Sequence, residues 1–282
     1  MSFNIIHNDH KFLSNIFEVV SNILEHCIIY FKKDGIYISG MDDSHVSLIE
    51  IYLNKDEFES YDFNSDTDIK ISLISLDFYK ILKTSDSDDN IIIKYKNNKD
   101  FITLSLQSDA ISRNYNIKLI DIDENKFDIP DMEYSMILEL SCKFYSKIFN
   151  SINITEAEYF SFIVNNNKLQ IKSESMQSNL EMNFNKNESN YIRKKNRIKL
   201  NKSHKTEIEK TEFCYKLHYC NGEFNSTFLL NSIKKISKTT NLTSKIIIYL
   251  EEKFPLKYEF LLNEKTNSII RFYIAPKVDD YD

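Results

Sequence analysis

Glycine and proline are scarce: three of each occur among 282 residues. That leaves no Gly-rich loop to cradle a phosphate and no flexible linker between domains. Cysteine is sparse too. Cys27, Cys142, Cys214 and Cys220 form no C-x-x-C pair, so reduced thiols in a cytosolic or nuclear chain are expected rather than a disulfide framework. Cys214, His218 and Cys220 alternate on one strand-like stretch without a fourth ligand; a strand carrying small apolar thiols is expected there, and no metal site is assigned. No apolar run is long enough to span a bilayer, and the N-terminus has no signal-peptide pattern, so no membrane partner is expected. Catalytic signatures are missing as well. There is no paired Ser/His/Asp arrangement, and the acidic cluster Asp86-Ser87-Asp88-Asp89 falls in a predicted turn rather than on a converging pocket. The expectation is a chain that is not an enzyme and needs no cofactor.

What is present is a soluble, globular balance: 42% hydrophobic residues, 28% charged and a net charge of −6. The length suffices for two domains that each bury a core. The chain also carries its own sequence twice, faintly. Lys80-Ile81-x-Lys83-Thr84, followed after six residues by Ile91-Ile92-Ile93, recurs as Lys235-Ile236-x-Lys238-Thr239 with Ile246-Ile247-Ile248, at an offset of 155. Upstream, Phe12-x-Ser14-x-Ile16-Phe17 recurs as Phe144-x-Ser146-x-Ile148-Phe149 at an offset of 132. Such repetition fixes the architecture before anything else. The difference between the offsets predicts a net insertion of 23 residues between the two helices of the second half.

Apolar residues at Phe12, Leu13, Ile16, Phe17, Val20, Ile23 and Leu24 predict a helix over His10–Leu24, capped by Asn8 or Asp9. A second, short helix is predicted at Ser75–Leu82, and two more near Lys143–Ile152 and Ser226–Ser237. Strands are predicted at 36–38, 46–53, 91–95, 101–106 and 115–120, with polar turns such as Asn97-Asn98 between them. Few helices, many antiparallel strands and an internal duplication give an α+β fold, with the helices on one face of continuous sheets. Between the halves runs Leu119–Pro130, acidic with apolar teeth. It reads either as an extended crossover or as a groove wall in which Phe127 and Ile129 meet a partner peptide.

Three strings then carry a resemblance: Met41-Asp42-Asp43-Ser44-His45-Val46-Ser47-Leu48, the linker Leu119–Pro130, and Arg271-Phe272-Tyr273-Ile274-Ala275-Pro276-Lys277-Val278. In this order they resemble the proliferating cell nuclear antigen family, the eukaryotic sliding clamps. The likeness runs through nearly the whole chain and weakens over residues 183–225. It implies duplicated clamp domains at 1–118 and 136–282, joined by a connector at 119–135. It further implies sheets outside, helices lining a central hole, and a head-to-tail homotrimer, pseudo-sixfold, around duplex DNA. Polymerases and other replication and repair enzymes would dock through short peptides, and a clamp loader would place the ring on DNA. The chain would act in a nucleus or at a viral replication site in an infected cell.

A ring that holds DNA by enclosure needs only sequence-independent phosphate attraction from its inner helices. An acidic exterior is compatible with a basic bore. Lys80, Lys83, Lys147, Lys235 and Lys238 are the bore candidates, and Lys11 and Lys143 lie on the same helices. The first helix is poorer in cations than the family's, offering Lys11 and then Ser14, Asn15, Glu18, Ser21 and Glu25; Asn150 stands where the family has arginine. By the same resemblance, the peptide site is lined by Met41, Val46, Leu48, Phe127, Ile129, Pro255, Tyr273 and Pro276. His45 and Ala275 contact the peptide backbone, and the tail through Lys277 adds main-chain hydrogen bonds. Phe127 replaces the family's usual leucine. The subunit contact would set Tyr115, Ile117 and their strand beside a strand with Leu180, Met182 and Phe184 on one face.

One segment has no family counterpart. Between Lys186 and Lys205 stand eight cations against one acid, Glu188, within a basic insertion at about 183–212. A solvated loop, a nuclear-import signal and an auxiliary DNA contact through Arg193, Lys194, Lys195 and Arg197 are the open readings, the last the sharpest. Two other functions remain in view: a checkpoint-type subunit of a heteromeric ring, and a processivity factor that grips DNA by charge without closing a ring.

Overall fold

The structure is a computed structural model. It describes residues 1–97, 99–122, 132–165, 168–185, 191–192, 212–213 and 215–278. The first half runs β1 (Ser2–His7), α1 (His10–Ile23), β2 (His26–Lys32), β3 (Gly35–Met41), β4 (Ser47–Asn54), β5 (Ser60–Asn64), β6 (Ile69–Ile74), α2 (Ser75–Leu82), β7 (Asn90–Lys96), β8 (Phe101–Gln107) and β9 (Ser112–Lys118). The second half runs β10 (Met136–Ser141), α3 (Cys142–Ile154), β11 (Tyr159–Asn165), β12 (Lys168–Glu174), β13 (Asn179–Asn185), β14 (Tyr191–Ile192), β15 (Glu212–Phe213), β16 (Tyr215–Cys220), β17 (Glu223–Leu229), α4 (Leu230–Ile236), β18 (Lys245–Leu250), β19 (Leu256–Asn263) and β20 (Ser268–Ile274). A 3-10 turn, Ser237–Asn241, continues α4.

The duplication is complete at the level of pairing. The first half forms the antiparallel orders β5-β1-β7-β8-β9 and β6-β2-β3-β4. The second forms β16-β10-β18-β19-β20 and β17-β11-β12-β13. Within the chain, β20 of the second half pairs with β4 of the first, fusing two of these sheets into one of nine strands. The helices of the first half start 65 residues apart, at His10 and Ser75, and those of the second 88 apart, at Cys142 and Leu230. The excess of 23 matches the predicted insertion. It falls between β13 and β16, which are separated by 29 residues where β4 and β5 are separated by five.

Local chemistry explains the elements. Asp9 caps α1 by accepting from the Lys11 and Phe12 amides at 2.9 and 3.2 Å, and Leu13, Ile16, Phe17, Val20 and Ile23 turn one stripe into the core. Strands such as β1 and β18 alternate buried and half-exposed residues. The buried residues of both halves form a single contiguous core. Several predicted boundaries shift by a few residues, as in Gly35–Met41 for 36–38, and two shifts have a visible cause. The helix expected from Ser226 starts only at Leu230. Ser226 and Phe228 alternate with Asn225 and Thr227 at period two and pair with β11, so they complete β17 instead. The strand expected over 115–120 is Ser112–Lys118. Leu119 and Ile120 leave it because their amides bond to the carbonyls of Asp100 and Ser72.

Candidate functional site

The helices form one layer. α1 packs along α2 and touches α4 and the 3-10 turn after it, which also touches α3. The predicted bore lysines stand on this layer in two different states. Lys11, Lys143 and Lys147 are exposed on α1 and α3. Lys80 is exposed, with Asp77 one helical turn away at 3.6 Å. Lys83, at the C-cap of α2, lies 5.7 Å from the Tyr79 ring. Lys235 instead meets the Asp42 carboxylate at 2.7 Å, and Lys238 meets Glu18 of α1 at 2.6 Å.

Asp42 organises the loop between β3 and β4. One carboxylate oxygen accepts from the Val46 and Ser47 amides at 3.0 and 2.9 Å; the other accepts from the Ser44 hydroxyl and Lys235. Burial alone would raise its pKa. The Lys235 ammonium, the Ser47 amide and the Ser44 hydroxyl outweigh burial and hold it below the ordinary carboxylate range. His45 sits in that loop at φ 56°, a left-handed conformation stabilised by the loop's own hydrogen bonds.

The predicted peptide-site residues that are described come together. Met41 is opposite Leu48, and Leu48 is opposite Tyr273, across three adjacent strands. Pro255 precedes Leu256, which pairs with Ile274. The Ala275 amide donates to the Val46 carbonyl at 2.9 Å, and the Lys277 amide to the Thr227 carbonyl at 2.7 Å. Both tail amides are therefore already engaged, so these two residues have their carbonyls, not their amides, to offer a peptide. The Lys277 side chain turns to the Tyr159 ring at 4.6 Å. Pro276 lies between these two anchored residues. Leu48 and Tyr273 are buried, at 7% and 9% exposure, so neither side chain stands out on the surface. The Tyr273 hydroxyl donates to Glu50 at 3.2 Å, and Tyr37 donates to the same carboxylate at 2.7 Å. Burial and Glu50 both raise the Tyr273 pKa, so the hydroxyl stays a donor.

The connector is fixed at both described ends. Ile120 donates to Ser72 and Lys70 donates to the Ile122 carbonyl, both on β6. At the other end the Tyr134 ring lies 5.1 Å from that of Tyr249 on β18, tilted by 50°. Phe127 and Ile129 lie outside the described residues, as do Arg193, Lys194, Lys195 and Arg197.

Among the described residues six strands end the three larger sheets, β5, β9, β6, β16, β13 and β17, and β9 and β13 carry the predicted subunit-contact residues. Tyr115, Leu180 and Met182 are half-buried there, whereas Ile117 and Phe184 are buried in their own chain's core. Amides, hydroxyls and the Glu181 carboxylate line the polar face. Thr103 donates to Asn116, Ser105 to Asn114, and Gln170 to Glu181 and Asn183.

Sequence reasoning missed Asp42 and Glu18 as partners of the lysines, because 193 and 220 residues separate the bonded pairs. Phe254, 44% exposed beside Pro255, is an exposed aromatic that the sequence reading did not single out. Among the described residues no group of ligands fit to hold a metal occurs. His218 pairs with Glu139 at 2.8 Å, and the Cys220 thiol faces the Lys168 carbonyl. Cys214 lies outside the described residues, and Cys27, Cys142 and Cys220 are buried and in no disulfide among the described residues. No described helix is long and apolar enough to cross a membrane.

Residues 3–127 match the family described as proliferating cell nuclear antigen, N-terminal domain. Proliferating cell nuclear antigen 2 of Drosophila melanogaster is 24% identical over 274 residues, covering 96% of this chain and 95% of its own. Proliferating cell nuclear antigen of Chaetomium thermophilum is 26% identical over 271 residues, covering 95% of each. Among solved structures, that of the Entamoeba histolytica protein of the same name superposes with a TM-score of 0.78 at 19% identity, over 98% of this chain and 99% of the other. That last likeness is one of fold.

Proposed function

We propose how this chain, a PCNA-like sliding clamp of DNA replication, does its work. Three copies close head to tail into a ring that retains duplex DNA by enclosure, and each copy presents a peptide pocket to a polymerase or another replication factor. The observation that carries this reading is the internal seam and its two loose counterparts. β20 pairs with β4 inside the chain; their duplicates, β9 and β13, both end their sheets. A row of unpaired donors and acceptors is a template for another chain. If the seam between copies repeats the seam within one, its register follows. Leu104 and Ile93 relate to Tyr115 as Tyr258 and Ile248 relate to Phe272. Gly40 relates to Ile49 as Ser173 relates to Leu180. Phe272 faces Ile49 within the chain, so Tyr115 is expected opposite Leu180 of the next copy, and Arg113 opposite Met182. The burial agrees: Ile49, Ile51 and Phe272 are buried, whereas their counterparts Leu180, Met182 and Tyr115 are only half-covered and await a partner.

A closed ring needs a loader to admit DNA, and the site of action is a nucleus or a viral replication site. The chain itself makes and breaks no covalent bond; it tethers. Domain boundaries follow the connector, with the first clamp domain at 1–118 and the second from 136. The deciding experiment loads labelled protein on circular and on cut DNA. Retention on the circle with loss from the cut ends is expected, together with a native mass of about three times 33.4 kDa. Equal loss from both templates would leave charge alone as the means of grip.

For the pocket, Pro255→Ala is expected to weaken an aromatic-anchored peptide by roughly tenfold, about 1.4 kcal/mol, without lowering the thermal midpoint. Unchanged affinity by fluorescence anisotropy would move the peptide site elsewhere.

A further inference from the structure

We infer that the two copies of the repeated lysine pair have divided their labour. Lys80 and Lys83 hold DNA phosphate, whereas Lys235 and Lys238 fasten the halves of the chain and brace the loop of the peptide pocket. This rests on the clamp reading given above. The division follows from what each lysine meets across its seam. Lys235 bonds Asp42, which is 2% exposed and already gathers the Val46 and Ser47 amides. A buried carboxylate needs that cation, and charge-assisted bonds of this length are among the stronger ones. Lys238 bonds Glu18 of α1 at 2.6 Å. Each cation is held by the other half of the chain.

The counterparts of the two acids have lost their charge. Asp42 and Ser175 occupy the same corner of the duplicated hairpins. The Asp42 amide donates to Ser47 at 2.8 Å, and the Ser175 amide to Ser178 at 2.9 Å. The Asp42 carboxylate accepts from the Val46 and Ser47 amides; the Ser175 hydroxyl accepts from the Gln177 and Ser178 amides at 3.3 Å. Likewise Glu18 and Asn150 stand eight residues after the first residues of α1 and α3. In a ring whose outer seams repeat the inner one, Lys80 therefore faces a neighbour's Ser175, and Lys83 a neighbour's Asn150. Neither meets a carboxylate there. Among the described residues of its own chain Lys80 has only the exposed Asp77 at 3.6 Å, an ion pair too solvated to hold it. The bore is then cationic at the three seams between copies and neutralised at the three seams within them.

The test compares full-length Lys80→Gln/Lys83→Gln with Lys235→Gln/Lys238→Gln, and follows affinity for a mixed-sequence linear duplex across a potassium chloride series. The first double variant is expected to flatten the log–log slope by about 0.9 for each phosphate it no longer neutralises. The second is expected to keep the wild-type slope while the Val46 and Ser47 amides exchange at least about tenfold faster. Asp42→Asn/Glu18→Gln keeps the fold's neutral acceptors and frees both lysines, so it is expected to steepen the slope; it serves if the second variant does not fold. Equal flattening by both lysine pairs, or unchanged exchange at Val46 and Ser47, would overturn the inference. Wild-type binding without salt dependence would instead overturn the clamp reading, and the amide exchange would still decide the fastening role.

Discussion

Leu180→Asp is expected to yield a folded monomer of 33.4 kDa where the wild type assembles. Leu180 is half-buried on β13, against its own core on one side and open along the sheet edge. In the derived register it meets Tyr115 of the next copy. Because Leu180 is already half-buried, removing the leucine forfeits about 1 kcal/mol of apolar burial at each seam. Placing a carboxylate there adds a desolvation cost of several kcal/mol, and the nearest cation in that register, Arg113 of the next copy, is already paired with its own Asp89. Each 1.4 kcal/mol is tenfold in affinity, so association should weaken by at least about 10³ per seam. Ring closure needs all the seams, so the loss compounds. On β13 itself the polar face carries Glu181, in an exposed ion pair with Lys172 at 3.6 Å; such a solvated pair contributes little, and added salt should not rescue the variant. Light scattering over a concentration series, with circular dichroism to confirm folding, checks this. A variant that keeps the wild-type mass would remove β13 from the subunit contact.

The sequence was legible where a pattern is local. α2 begins and ends at the predicted residues, Ser75 and Leu82, because a buried Phe78 and Leu82 on a short stripe leave few alternatives. The insertion was countable because both flanking repeats survive. α4 was read too long because Ser226–Leu229 satisfies a helical stripe and a strand alternation equally well, and pairing with β11 decided between them. The site divided along the same line. Met41, Leu48 and Tyr273 were gathered from two separate strings by resemblance, and strand pairing sets them in one row. The lysines looked alike in both repeats because Lys-Ile-x-Lys carries no record of what lies opposite. Only tertiary contact distinguishes Lys235, bonded to Asp42, from Lys80, beside Asp77. The engaged amides of Ala275 and Lys277 were likewise invisible, since a backbone hydrogen bond leaves no trace in side-chain identity.

The same position in the two repeats should fail in opposite ways. Phe272 is 1% exposed on β20, edge-on to Phe260 at 5.7 Å and paired with Ile49 across the internal seam. Truncation by Phe272→Ala removes a buried ring that the fused sheet cannot close over, at a cost of about 3–5 kcal/mol. Against a total stability of about 5–15 kcal/mol that is a large share, worth roughly 10 °C in thermal midpoint at this chain length. The loss should be independent of protein concentration, because both strands of the seam belong to one chain. Its counterpart, Tyr115, is already half-exposed in the single chain, so the effect of truncation there should follow concentration instead. Denaturant titrations of Phe272→Ala at several protein concentrations separate the two behaviours. A midpoint that moves with concentration would mean that the β4–β20 seam is not the internal template of the ring, and the register derived from it would go too.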